Sequence, residues 1–192
     1  MLRIMIVDEV SERAEALQPA LERLGHEVIA YMPSAFDLHA QVCALQPDII
    51  IIDTDSPDRD TLENVCIMSR DQPRPVVMFS HDGDGEKIRD ATRAGVSAYV
   101  VDGMAAARVG HIIDAAIARF EQFQALKREL ENAETKLAER KLIDRAKGIL
   151  MKTRNLTEAE AYAALRNQAM RTNARLPDIA RKVLELANLI AS

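Results

Sequence analysis

The sequence predicts an α/β domain on a five-stranded parallel, doubly wound sheet, then a long helix and a small all-α module. Three observations carry that expectation. Over the first 118 residues, five compact apolar runs alternate with five amphipathic stretches. From His111 to Lys147 there is no Pro or Gly at all. After residue 138 the charge changes sign: eleven basic residues stand against six acidic ones, a net of +5. That leaves −10 on the first 138 residues of a chain whose total is −5.

The strands are expected at 2–7, 28–31, 48–52, 75–79 and 98–101, all rich in Ile and Val. Helical patterns fill 11–24, 35–46, 58–71, 85–95 and 105–118, and strictly alternating β and α units call for crossovers on both faces of one sheet. Gly25 and Gly95 stand where helices should end, and Pro19 should kink the first helix or limit its first segment.

Beyond residue 112 the pattern lengthens. Ala116, Phe120, Phe123, Leu126, Leu130, Ala133 and Leu137 recur at mostly 3–4 spacing, and the last five alternate 3 and 4. That is a short heptad seam, with Glu and Lys around it, and a second copy in parallel is its expected cover. After Leu137 the apolar stripe passes to Leu142, Ala146 and Ile149, marking entry into different packing. Thr157 and Glu160 form a capping box that opens the next helix, with Tyr162, Leu165 and Ala169 as its buried stripe. Pro177 suits the first turn of a last helix whose core face is Ile179, Val183, Leu186 and Ile190.

Composition excludes several functions. The chain has 192 residues, 48% of them hydrophobic, enough for packed cores without metals or disulfides. Cys43 and Cys66 lie in apolar helical patterns without a C-x-x-C partner, which reads as two buried thiols in a reducing cytosol. No apolar run approaches a membrane span, no signal peptide is evident, and the histidines lack zinc-ligand spacing. Without a P-loop, a G-x-G-x-x-G or a nucleophile–base pair, an enzyme is not expected.

Chemistry concentrates where parallel sheets place their ligands, at the carboxyl ends of the strands. Asp8 and Glu9 follow the first strand, Asp53 the third and Ser80 the fourth. Three carboxylates there are a candidate Mg²⁺ site, with Asp53 a candidate phosphoryl acceptor and Ser80 a hydroxyl that could read the phosphoryl group. This order and spacing resemble the receiver domain of two-component response regulators over residues 1–118. The resemblance implies a lysine at the end of the fifth strand, but this chain has Asp102. A carboxylate there repels an incoming phosphoryl group where a cation would attract it, so Asp53 is expected to be phosphorylated poorly or not at all. The pocket then reads either as a regulatory acceptor site or as an inherited acidic cluster without turnover.

Farther on, Ala146-Lys147-Gly148 sits inside a strong helix, where glycine costs about 1 kcal/mol against alanine and asks for a reason. Together with the run from Glu160 to Met170, it resembles the ANTAR domain, a three-helix RNA-binding module. A receiver with an atypical fifth strand, a helical linker and a C-terminal ANTAR module is similar to the AmiR/NasT antiterminators, and strings such as Ala98-Tyr-Val-Val-Asp-Gly look most like their nitrate-responsive NasT branch. The organisation expected is a receiver at 1–118, a coiled-coil linker at 119–138 and the ANTAR module at 139–192. The resemblance implies tandem hairpins in leader mRNA as the target and antitermination as the outcome. It also implies a homodimer when active and control by a ligand-sensing, nitrate-type partner protein rather than by a kinase. A phosphorylation-driven regulator acting through Asp53 and a DNA-binding regulator are the alternatives, the latter lacking a recognisable helix-turn-helix.

Candidate RNA contacts are cationic. Arg140, Lys147 and Arg154 are seven residues apart and fall within about 20° of one line on a helix. Gly148 would admit a close backbone, and Arg166 and Arg171 extend the positive surface. The competing reading for Lys147 and Arg166 is surface ion pairing with Asp144 or Glu160. With Tyr162 assigned to the core, no aromatic platform is left for stacking bases.

Overall fold

A computed structural model describes residues 1–101 and 108–191, in two compact units, Met1–Gln124 and Ala125–Ser192. The first unit alternates β1 (Arg3–Asp8), α1 (Ser11–Arg23), β2 (Glu27–Met32), α2 (Leu38–Leu45), β3 (Ile49–Thr54), α3 (Arg59–Asp71), β4 (Val76–Ser80), α4 (Gly85–Ala94) and β5 (Ala98–Val101). All five strands are parallel in the order β2-β1-β3-β4-β5.

Strand alternation divides the core in two. Met5, Val7, Ile50, Ile52, Val76 and Met78 face α2, α3 and α4, meeting Leu38, Val42, Val65 and Met68. Ile4, Ile6, Ile49, Ile51, Val77 and Phe79 face the other way, against Leu17 and Leu21 of α1 and Ile113 and Ala116 of α5 (Val109–Arg154). Strands buried on both faces explain the nearly unbroken apolar runs that marked them in the sequence. Gly95 ends α4 at φ +112°, and a Cβ there would fall 2.3 Å from Ser69 Oγ, so both conformation and space require glycine.

Several expectations shift. Asp8, Asp53 and Ser80 lie within their strands rather than after them, so the sheet ladder itself holds these side chains. The second helix begins at Leu38, not 35, because Asp37 is left-handed at φ 63°. Helix α1 runs past Pro19 to Arg23. Cys43 and Cys66 are exposed, contrary to the buried thiols expected: each follows a core residue, Val42 or Val65, and is turned about 100° away from it.

The fifth helix does not stop near 118. Helix α5 is 46 residues long, running from Val109 to Arg154. In the second unit, the C-terminal part of α5 packs with α6 (Glu158–Thr172) and α7 (Leu176–Ala191) around Ala146, Leu165, Ala169, Ile179, Ala180 and Leu184. The predicted capping box opens α6: Thr157 N donates to Glu160 Oε2 at 2.8 Å and Glu160 N donates to Thr157 Oγ1 at 3.3 Å. Tyr162 is 43% exposed and Leu186 59% exposed, so neither is the core residue that spacing suggested. The stripes run instead through Ala161–Leu165–Ala169 and through Ile179, Ala180 and Leu184. Small Ala side chains let these short helices approach closely, which moves the buried line by one residue. The side chain of Ile190 lies outside the described residues.

Candidate functional site

At the carboxyl edge of the sheet, Asp8 and Asp53 are register partners on adjacent strands. Both are 4% exposed. Asp8 Oδ1 accepts from Val10 N at 2.8 Å and from Arg13 Nη2 at 3.2 Å, while Asp8 Oδ2 and Asp53 Oδ1 are buried without a hydrogen-bond partner. Burial pushes the Asp53 carboxyl above its ordinary range, Arg13 pulls it back, and Asp8 pushes it further up. Glu9, expected as the third member, is exposed. Among the described residues, no three acidic, His or Cys side chains are gathered to hold a metal ion. The expected Mg²⁺ site thus has an exposed Glu9, the Arg13 guanidinium against Asp8, and two buried carboxylates. Their two unpartnered oxygens fit a hard cation, whereas the adjoining Arg13 charge does not. A cleft of about 180 Å³ opens beside Asp53, lined among others by Glu9, Phe36, Asp58, Asp60 and Asn64.

Ser80, fully buried, is paired in register with Thr54 rather than with Asp53. Its hydroxyl donates to the Asp55 carbonyl at 3.0 Å and accepts from Asp82 N at 3.1 Å, so it ties the loops after β3 and β4 together. Lys87 strengthens that tie, with Nζ 2.7 Å from Asp82 Oδ2 and 2.5 Å from Ser56 Oγ. The Lys87 hydrogen bond, then the Asp84 backbone N–H and the Ser56 hydroxyl, hold the Asp82 carboxyl at about 2. Tyr99 Oη donates to the Asp82 carbonyl at 2.8 Å, joining β5 to the same knot. Asp102 lies outside the described residues.

Sequence reasoning missed Arg13, Lys87 and Tyr99. For Arg13 a signal existed: a basic residue in the first turn of the helix that follows an acidic strand end. Nothing in the spacing of Lys87 or Tyr99 announces their shared partner.

In the second unit, Lys147 is not a free cation. Its side chain is 14% exposed, with Nζ 2.8 Å from Asp144 Oδ1 and 2.6 Å from Glu158 Oε1. Of the ion pairs the competing reading expected, that with Asp144 is present, and Glu158 stands in place of Glu160, which is occupied in the capping box. Arg154, Arg166 and Arg171 are exposed and form no ion pair within 4.0 Å among the described residues. Arg140 is exposed too, and its charge helps lower the Asp144 carboxyl, after the hydrogen bond from Lys147. A Cβ on Gly148 would meet no atom within 4 Å, so packing inside the chain does not demand that glycine. On α5, Phe123, Leu126, Leu130 and Leu137 are between 54% and 64% exposed, an apolar line on a solvent-facing helix.

Comparison with known proteins agrees with this architecture. The response regulator receiver domain family matches residues 4–114, and the ANTAR domain family matches residues 131–184. The transcriptional regulatory protein PdtaR of Mycobacterium tuberculosis is 25% identical over 183 residues, spanning 95% of this chain and 89% of that protein. A nitrate regulatory protein of Klebsiella oxytoca is 40% identical over 68 residues, 35% of this chain and 17% of that one. Among solved structures, the signal receiver domain of a modulated diguanylate cyclase from Desulfovibrio desulfuricans G20 superposes with a TM-score of 0.55. It is 22% identical and covers 64% of this chain and 98% of that one, which shows the shared fold. The chain therefore belongs to the response regulators, carrying a receiver domain followed by an ANTAR domain.

Proposed function

We propose that this chain regulates transcription by binding structured RNA: the ANTAR module grips hairpins in a leader transcript, and the receiver controls when it does so. The observation that carries the reading is the set of exposed arginines Arg154, Arg166 and Arg171, which form no ion pair among the described residues, on the unit matched by the ANTAR family. Cations that no internal carboxylate neutralises are available to phosphates, and binding through them is salt-dependent. Stabilising tandem hairpins against a terminator makes the protein an antiterminator. The exposed line Phe123, Leu126, Leu130 and Leu137 supports a homodimer that brings two modules to two hairpins. The likeness to a nitrate regulatory protein supports a nitrate or nitrite assimilation operon as the target, with a ligand-sensing partner protein holding the regulator off.

A second reading, in which phosphorylation of Asp53 drives the same RNA output, is favoured by the unpartnered Asp53 Oδ1 and by the cleft that Asp53 helps to line. Acetyl phosphate labelling of wild type beside Asp53→Asn separates the two: labelling lost in the variant establishes the acceptor, and none in either leaves partner control.

The test of the main reading is a fluorescence-anisotropy titration of a tandem-hairpin leader RNA against duplex DNA of the same sequence. RNA-selective binding weakened by Arg166→Ala is the expected result. Equal affinity for duplex DNA would replace the reading with a DNA-binding one.

A further inference from the structure

The acidic pocket of the receiver already contains a cation, and it belongs to the chain. Arg13 reaches from the first turn of α1 with Nη2 3.2 Å from Asp8 Oδ1 and Nη1 3.2 Å from Asp55 Oδ1. Its Nε is buried and unpartnered, and the carboxylate of Asp53 also acts on its charge. His81, with Nδ1 3.6 Å from Asp55 Oδ1, and Lys87, with Nζ 2.7 Å from Asp82 Oδ2, are further basic groups at this edge.

We propose that Arg13 is the resident counter-ion of the Asp8–Asp53 pair and sets the affinity of the pocket for divalent cations, holding it low. The inference stands whether or not the C-terminal module binds RNA. Two register partners both carrying buried carboxylates repel each other unless something neutralises them. Arg13 does so from the Asp8 Oδ1 side, leaving Asp8 Oδ2 and Asp53 Oδ1 without partners. Those two oxygens are suited to a hard divalent ion, but such an ion would meet the Arg13 guanidinium on the same Asp8 carboxylate. In a partly desolvated pocket that repulsion is strong, and a guanidinium cannot relieve it by losing its proton. The acidic edge of the receiver is thus offset in part by a cation of the chain itself.

The test is a Mn²⁺ titration of the full chain, with free Mn²⁺ followed by electron paramagnetic resonance. Arg13→Gln should bind Mn²⁺ at least about tenfold more tightly than wild type. Arg13→Lys should stay near wild type, and adding Asp8→Asn to Arg13→Gln should remove the gain. Equal affinity in wild type and Arg13→Gln overturns the proposal. Should Arg13→Gln not fold, wild type decides by nuclear magnetic resonance during Mg²⁺ addition. The Arg13 Nε resonance should move together with the Asp53 carboxyl carbon, and an Arg13 signal that stays in place while Asp53 moves overturns the proposal.

Discussion

Lys147 Nζ lies 2.6 Å from Glu158 Oε1, bridging the end of α5 to the start of α6, and Asp144 Oδ1 shares the same ammonium at 2.8 Å. Two carboxylates around one cation leave no net positive charge to offer a phosphate. The lysine that the sequence placed at the centre of an RNA-binding line also ties one helix to the next. Lys147→Met should therefore leave the salt dependence of RNA binding unchanged while lowering the melting temperature of the second unit. Arg166→Ala should do the reverse, reducing the salt slope by about 1 without changing the melt. Anisotropy titrations at several salt concentrations, paired with thermal melts, check both arms. A slope that falls equally in the two variants would return Lys147 to the interface.

Leu165 is the largest side chain that α6 contributes to the small core around Ala146, Ala169 and Ile179. A core this small has little room to collapse around a cavity. Leu165→Ala should cost about 3 kcal/mol, concentrated in the second unit. Amide hydrogen exchange is the appropriate readout: protection should fall across α6 and α7 and hold in β1, β3 and β4. A uniform loss over both units would mean that they unfold as one.

The parallel sheet was legible because its inner strands β1, β3 and β4 are buried on both faces, leaving unbroken Ile and Val runs with helices between them. The acidic edge was legible because parallel strands present their carboxyl ends together, and Asp8 and Asp53 are indeed register partners. What spacing did not reveal is pairing. Arg13, Lys87 and Tyr99 gain their roles from partners 17 to 42 residues away, as in Tyr99 with Asp82 and Arg13 with Asp55, except for the near contacts of Arg13 with Asp8 and Lys87 with Asp82. Periodicity also misplaced Tyr162 and Leu186, because a helix packed through alanines can turn its buried line by one position at little cost in apolar area. Exposure of Tyr162 reopens a question that composition had closed, since an aromatic ring one turn before Arg166 on α6 is available to stack.

The exposed line on α5 makes a prediction about assembly. Leu130 is 60% exposed in the centre of the Phe123–Leu137 seam, so a charge there costs the single chain almost nothing. In a two-stranded seam the same charge would be buried against its own copy. Leu130→Glu should leave the thermal stability of the receiver unchanged and shift the sedimentation profile from dimer to monomer. A variant sedimenting as wild type does would place any self-association elsewhere.

The pH dependence of stability should expose the Asp53 pocket directly. Burial is the first cause of the raised Asp53 carboxyl, with Asp8 adding to it against the pull of Arg13. A carboxyl whose folded value lies above its ordinary 3.8 favours folding fully below that value, and the contribution is lost as pH rises through the folded value. At neutral pH the ionised Asp53 is therefore a net burden on the fold. Asp53→Asn, which keeps the shape and removes the charge, should raise the melting temperature at pH 7, and the gain should vanish as pH falls below about 3.8. Asp82 acts in the opposite sense. Held at about 2 by Lys87, it supports the fold above 3.8 and loses that support as pH drops toward 2. Melts of wild type, Asp53→Asn and Asp82→Asn between pH 2 and 7 thus yield two differences of opposite sign. A destabilising Asp53→Asn at pH 7 would mean that Arg13 outweighs burial in the pocket, and that its carboxylate is held ionised by the arginine rather than in spite of its surroundings.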